Sequence, residues 1–249
     1  MARYKLILAY DGTVYNGYQR QAIKHSVQHE LEAALRKIGW QGNTLTASGR
    51  TDSGVHALGQ VLHLDLDWKH DKETLLTALN AFLPDDIAAL EAEEVDEGFH
   101  ARYSALNRTY RYQLYVQKHR NPLIDRFAWR VTVQPDLELM NLESQDLLGE
   151  HDFIAFGKAM KPSGTTVRKI YQADWAETDF GMGFTITGNA FLNHMVRRIV
   201  WVLVHVGSGM MPKGAVLRGF ETGYAGTVAL APARGLTLMK VDYGEEINK

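Results

Sequence analysis

Between Gly59 and Asp67 the side chains alternate, with Leu62, Leu64 and Leu66 set against His63, Asp65 and Asp67. Period-two alternation of this kind specifies a strand with one face buried. Upstream, Asn43-Thr44-Leu45-Thr46-Ala47 is also strand-like, and Gly49-Arg50-Thr51-Asp52-Ser53-Gly54-Val55-His56 separates the two segments. The chain must therefore reverse between two strands across a stretch that holds an acid. A glycine flanks that acid on each side, Arg50 precedes it and His56 follows it. Asp-Ser-Gly alone is turn chemistry, because Asp and Ser bond their own backbone and Gly accepts positive φ. Short loops between rigid strands are also where catalytic groups are often carried. Asp52 is thus either a turn former or a reacting carboxylate, and the rest of the chain decides.

The same periodicities organise the other elements. Tyr4, Leu6, Leu8 and Tyr10 alternate in a first strand that ends at Asp11-Gly12-Thr13. The loop from Val14 to Lys24 collects Tyr15, Tyr18, Gln19, Arg20 and Gln21, a set suited to a polar planar ligand. Ser26 is placed to cap a helix carrying Val27, Leu31, Ala34, Leu35 and Ile38 on one face, and Gly39 ends it. A second helix points Leu75, Leu76, Leu79, Phe82 and Leu83 inward and stops at Pro84. Phe99-His100-Ala101-Arg102 reads as a seam. Beyond it comes a strand over 107–116, with Arg108, Tyr110, Tyr112, Leu114 and Val116 on one face and Thr109, Arg111, Gln113 and Tyr115 on the other. A short strand around Trp129, a helix with Leu137, Met140, Leu147 and Leu148, and a hairpin of 166–177 with 183–188 follow. The most apolar helix is predicted over Asn189 to Val206, and a last strand over Leu236 to Tyr243. Strands plus two helices in each half predict an α+β protein of two similar ferredoxin-like or RRM-like domains, 1–102 and 103–249. Their mainly antiparallel sheets are expected to meet at a central cleft.

The 249 residues include no cysteine, which excludes disulfides, thiolate catalysis and cysteine-type zinc sites. Met1-Ala2-Arg3 runs straight into strand pattern and no long apolar span follows, so a cytoplasmic protein with no membrane association is expected. The histidines form no H-E-x-x-H cluster, and neither glycine-rich phosphate loop occurs, so neither a metal nor a nucleotide cofactor is expected. The formal net charge of −2 argues against a uniformly basic nucleic-acid binder. Its distribution says more. From Asp85 to Glu97 there are acids and no Lys or Arg, whereas Arg102, Arg108, Arg111, Lys118, Arg120, Arg126 and Arg130 meet only Asp125. Two faces of opposite sign are predicted.

On the wheel of the apolar helix, Leu192, Met195, Val196, Ile199, Leu203 and Val206 form the core stripe. Arg198 falls with His194 and His205 on a polar edge, but Arg197 falls with Asn193, Val200 and Val204. An arginine among valines either snorkels to water or meets a carboxylate, whose geometry its forked donors match. If Arg197 or Arg50 meets Asp52, the adjacent cation keeps that acid ionised, as a nucleophile or base requires. Tyr110 and Tyr112, alternating among arginines, are either core aromatics or a stacking surface for unpaired bases. Two rival readings exist. Asp52-Ser53-Gly54 matches the short aspartic-protease signature, but that chemistry needs two carboxylates sharing a proton, and Asp11-Gly12-Thr13 does not supply the second. The other rival is a non-catalytic RNA-binding module that stacks bases on Tyr110 and Tyr112.

The chain resembles the tRNA pseudouridine synthases of the TruA type. The matching pieces run in family order. They include Tyr10-Asp11-Gly12-Thr13, Gly17-Tyr18-Gln19, Gly49 to Ala57, Leu83-Pro84-Asp85-Asp86-Ile87, Phe99-His100-Ala101-Arg102 and Arg108-Thr109-Tyr110-Arg111-Tyr112. Gly149-Glu150-His151-Asp152-Phe153, Asn193-His194-Met195-Val196-Arg197 and Ala231-Pro232-Ala233-Arg234-Gly235-Leu236 complete the set. Three places depart from the family text: Tyr18 stands where tryptophan is common, and 157–165 and 228–230 are atypical. The resemblance implies isomerisation of uridines 38, 39 and 40 in the tRNA anticodon stem-loop, on a base flipped from the stack, by a homodimer. It implies Asp52 as the essential carboxylate, Tyr110 as the ring that stacks on uracil and helps remove the C5 proton, and Arg197 as the partner of Asp52. Arg50 and His56 are expected among the substrate contacts. Attack on C1′, addition to C6 and removal of the C2′ proton all require an ionised carboxylate. Wheel position and family motif select the same arginine.

Overall fold

Alternation builds the first strand, β1 (Ala2–Tyr10), in which Tyr4, Leu6, Leu8 and Tyr10 are all buried. The computed structural model describes residues 1–21, 25–43, 45–159, 164–226 and 229–244. Contacts divide the chain into two units, one of Met1–Leu106 with the chain from Leu238 onward, the other of Asn107–Thr237.

In the first unit β1 leads to α1 (Val27–Lys37), capped by the Ser26 hydroxyl on the His29 amide. A short β2 (Thr46–Ala47) pairs antiparallel with β3 (His56–Leu66). Then α2 (Lys72–Asn80), capped by Asp71, leads to β4 (Ile87–Val95). β1 runs antiparallel between β3 and β4. The helices cover one face. Leu31 and Leu35 of α1 and Leu75 and Leu79 of α2 join Leu6, Leu8, Leu62, Leu64 and Ala92 in one apolar core. The other face is only partly open, for His63 is buried beside Phe99 and His100, and its Nδ1 accepts from the Ala101 amide at 3.1 Å. Phe82 does not point inward. It lies beyond the end of α2, 44% exposed, with the Lys37 ammonium over its ring. The acidic block largely forms β4, where Lys5 and Glu93 are register partners joined at 2.8 Å.

The second unit starts with β5 (Asn107–Val116), followed by the short α3 (Pro122–Asp125) and by β6 (Trp129–Val131), which pairs parallel with β5. α4 (Leu137–Gln145) and β7 (Gly149–Asp152) precede a long hairpin of β8 (Val167–Thr178) and β9 (Gly181–Gly188). The sheet order is β5-β9-β8-β7, antiparallel throughout. α5 (Met195–Gly207) packs with α4 and with α6 (Ala215–Thr222).

Three predictions about this half need correction or completion. α5 begins at Met195 rather than Asn189, because 189–194 is committed elsewhere. The Asn189 carboxamide accepts from the Lys169 and Ala190 amides, the Asn193 amide donates to Lys158 O, and His194 takes φ +64°. The sequence reading contains no α6. Its first amides, those of Gly214 and Val216, donate to the buried Glu143 carboxylate. The last strand, β10 (Leu236–Asp242), falls in the second half by sequence, yet from Leu238 onward it belongs to the first unit, beside β3. The α+β class with mostly antiparallel sheets holds in each unit.

Candidate active site

Asp52 sits in the connection of the β2–β3 pair. Thr46 and Ala47 face His63 and Leu62, and the Ser48 amide extends the ladder to Val61 O at 2.8 Å. The loop then leaves the sheet and is tied back from the other side. The Tyr18 amide donates to Thr51 O at 3.1 Å, and the Gly54 amide and Ser53 hydroxyl both donate to Tyr15 O at 3.2 Å. The Val55 amide donates to Asp52 O at 3.1 Å and closes a β-turn whose third residue, Gly54, has φ +76°. That is the position where a turn of type II needs positive φ. Gly17, at φ +87°, lets the neighbouring segment approach, since a Cβ there would come within 2.7 Å of Thr51 O. The loop is thus cross-linked through its backbone, and its apex holds Asp52 partly exposed and Arg50 exposed.

His56 is expected among the substrate contacts, but it is 3% exposed. Its Nδ1 accepts from the Gly12 amide at 3.1 Å and lies 3.1 Å from the Asp11 carboxylate. It packs behind the loop. Asp11 also caps its own turn through the amide and hydroxyl of Thr13, which is a structural role and not half of a proton-sharing pair. The aromatics of the preceding loop turn inward too. Tyr15 and Tyr18 are each 2% exposed, and burial pushes both phenols up, with the Asp86 carboxylate that Tyr15 bonds adding to the effect there. Gln19, Arg20 and Gln21 stay exposed, while residues 22–24 of that loop lie outside the described residues. The tyrosines brace the loop and do not present a flat surface to a ligand.

In the second unit Tyr110 and Tyr112 share one face of β5, opposite Ile186 and Phe184 of β9. Their environments differ. Tyr112 is fully buried, and its hydroxyl donates to Pro232 O at 2.8 Å. It belongs to the core, so the paired stacking platform of the RNA-module reading is not present. Tyr110 is partly exposed, with the Phe191 ring edge-on at 5.1 Å. Arg197 leaves the first turn of α5, and its Nε donates to Ala231 O at 2.8 Å. The Ala231 amide returns a bond to Arg197 O at 3.2 Å, so the Ala231-Pro232 segment holds both Arg197 and Tyr112. Burial raises the Tyr112 phenol, and Arg197 and then Arg234 oppose that rise. The Arg197 cation is therefore within electrostatic reach of Tyr112. Val200 and Val204 are buried, as the wheel requires.

A family model described as tRNA pseudouridine synthase matches residues 6–104 and 144–244. The chain belongs to the tRNA pseudouridine synthase family. Proteins named tRNA pseudouridine synthase A from Bacillus subtilis and from Syntrophotalea carbinolica are 41% and 40% identical to it. The first covers 97% of this chain and 99% of its own length, the second 99% and 98%. A third of the same name, from Bacillus velezensis, is 42% identical over 97% of this chain and 99% of its own. Family membership makes this chain an isomerase. Asp52 and Arg197 fall inside the two matched segments of the synthase model; Tyr110 falls between them and within the span of the full-length relatives.

Within the first unit the predicted Arg50 and Asp52 share one loop, with His56 behind it at the start of β3, and within the second Tyr110 and Arg197 flank Tyr112. Sequence reasoning gave no role to Phe191, to Ala231-Pro232 or to the buried side chains Tyr10, Ser48 and Gln60 beneath the Asp52 loop. One signal was available. Gln60 has the parity of Leu62, Leu64 and Leu66, so a polar amide stands on the core face of β3 and must find partners there.

Proposed function

We propose that the chain isomerises uridines 38, 39 and 40 of the tRNA anticodon stem-loop to pseudouridine, with Asp52 as the nucleophilic carboxylate. The observation that carries this reading is the Gly49-Arg50-Thr51-Asp52 sequence, in a chain that matches named synthases over nearly their whole length, held on a cross-linked loop that leaves Asp52 partly exposed. The reaction breaks the N1–C1′ bond and forms C5–C1′; the C5 proton is lost and N1 gains one. It needs a carboxylate to open the glycosidic bond and a group to take the C5 proton. In this reading Arg197 is the partner of that carboxylate, Tyr110 stacks on the uracil and its hydroxyl assists loss of the C5 proton. Extruding a base costs a few kcal/mol, which protein contacts must offset. The exposed Arg50 is suited to hold the opened strand, and His56 acts from behind by fixing the turn. The cations of the stretch 102–130 neutralise phosphates. The enzyme works as a cytoplasmic homodimer and needs no metal or nucleotide cofactor.

Release of tritium from tRNA labelled at uridine C5 tests the proposal. Tritium should enter water in step with pseudouridine formation, and tRNA carrying cytidine at 38, 39 and 40 should release none. Binding of tRNA without tritium release would overturn the isomerase reading.

A further inference from the structure

Beneath the Asp52 loop lies a chain of buried polar side chains that the mechanism does not use. Gln60, on β3, is fully buried. Its Oε1 accepts from the Ser48 hydroxyl at 2.8 Å, and its Nε2 donates to Gly49 O at 3.1 Å and lies 3.5 Å from the Tyr10 hydroxyl. Tyr10, at the end of β1, in turn meets the Thr51 hydroxyl at 2.9 Å. One amide therefore grips the loop at 48 and 49 directly and at 51 through Tyr10. Thr51 is the residue before Asp52. The register agrees with this use of β3, since Leu8 faces Gln60 while Tyr10 faces Ala57 across an irregularity, and the Tyr10 hydroxyl reaches Thr51. Ser48, Thr51, Tyr10 and Gln60 are each 7% exposed or less, so water does not compete freely for these bonds.

We propose that Gln60 is a positioning residue, which sets the placement of the Asp52 carboxylate through the Ser48–Gln60–Tyr10–Thr51 chain. The inference rests on the reading of Asp52 as the reacting group. Reacting groups held loosely by as little as an ångström lose on the order of 10²-fold in rate, while binding made elsewhere survives. The amide is needed because the core face of β3 would otherwise offer only leucines to loop carbonyls.

The test uses the full-length enzyme, the single-turnover rate at saturating enzyme and the Kd for tRNA. Gln60→Met keeps length and loses the polar atoms. It should lower the single-turnover rate by about 30-fold with Kd unchanged within about twofold. Tyr10→Phe should lower the same rate by about tenfold, and the double variant should lose little beyond Gln60→Met alone, because both act through one loop. Ser48→Ala, a milder change, should lower it about threefold. Leu75→Ala, which opens a cavity in the core of the same unit, serves as the stability control and should leave the rate near wild type despite an equal or larger fall in Tm. If Gln60→Met and Ser48→Ala lose no more rate than Leu75→Ala, or lose tRNA affinity instead, the positioning role is overturned. Asp52→Asn, assayed alongside, separates the two readings. Turnover by that variant overturns the role of Asp52 and this inference with it. An inert Asp52→Asn beside a fast Gln60→Met overturns the inference alone.

Discussion

In the first unit the proposed reacting group rides on an irregular loop, and in the second the proposed groups ride on a strand and a helix. The Asp52 loop has no ladder of its own beyond Ser48, and it is held by the Tyr15 carbonyl, the Tyr18 amide, the Tyr10 hydroxyl and the Gln60 carboxamide. Tyr110 and Arg197 need no such scaffold. The antiparallel register of β5 with β9 sets the first, and one turn of α5 locked to Ala231 sets the second. A strand or helix fixes a side chain by periodicity, whereas a loop must be fixed bond by bond. The buried polar side chains Ser48, Thr51 and Gln60 accordingly lie in that loop or beneath it. In the second unit the Tyr112 hydroxyl on Pro232 O and the Arg197 Nε on Ala231 O tie strand and helix to one short segment.

The comparison can be broken most directly at its first member. Asp52→Asn should lower tritium release by at least about 10³-fold while tRNA Kd and Tm stay near wild type; substantial turnover would remove the loop from the chemistry. Next comes the helix. On the proposed pairing, Arg197→Met removes the cation that keeps the Asp52 carboxylate ionised and should slow turnover by about 10²-fold. Arg198→Met should cost under about threefold by the same assay, and equal losses would show that the α5 register does not select the functional arginine. The two tyrosines of β5 should then separate. Tyr110→Phe keeps the stacking ring and should lower kcat by about 10²-fold, the range of an assisting proton-transfer group. Tyr112→Phe should leave kcat unchanged and lower stability by about 1 kcal/mol in urea titration, by loss of the bond to Pro232 O.

The remaining effect concerns pH and the face of β3 opposite the apolar core. Burial holds the His63 imidazole below its ordinary range, and Arg3 and then His100 act in the same direction. A lowered folded-state value means that the unfolded chain takes the proton first as pH falls. The contribution of neutral His63 is therefore complete above the ordinary histidine range and declines as pH falls through it. Between pH 7.5 and 5.5 the wild type should lose up to about 1.4 kcal/mol more stability than His63→Gln. Parallel denaturant titrations at the two pH values measure this, and identical losses would mean that His63 titrates as it does in the unfolded chain.

Legibility in the sequence follows the same division between periodic and irregular structure. β1, α1 with its Ser26 cap, β5 and the β8–β9 hairpin could be read because period and cap residues are local signals. The turn at Asp52 could be read because Asp, Ser and Gly carry its conformation in their own chemistry. The start of α5 could not, because the apolar pattern runs on through Phe191 and Leu192 while the Asn189 carboxamide and Lys158 O take up backbone groups that a helix would use. α6 escaped because its cap comes from Glu143, far away in sequence. Tyr15, Tyr18 and Tyr112 look like ligand contacts as residue types, and only burial distinguishes bracing rings from exposed ones. For Arg197 the wheel identified a polar group among valines but not Ala231 O, a partner brought close only by the folded chain.

The placement of β10 has a consequence for the order in which the molecule is completed. β3 carries Gln60 and forms one wall beneath the Asp52 loop, yet its neighbour β10 is the last strand described, and Gly59 approaches Met239 O so closely that a Cβ there would lie 2.4 Å away. Nearly all of the second unit is translated before that strand. During synthesis β3 therefore waits with an open edge, its amides and carbonyls exposed to any passing strand. The sheet under the loop is closed by a strand that follows the second unit, so Gly59, next to the Gln60 that holds the loop, is among the last residues to gain its final surroundings.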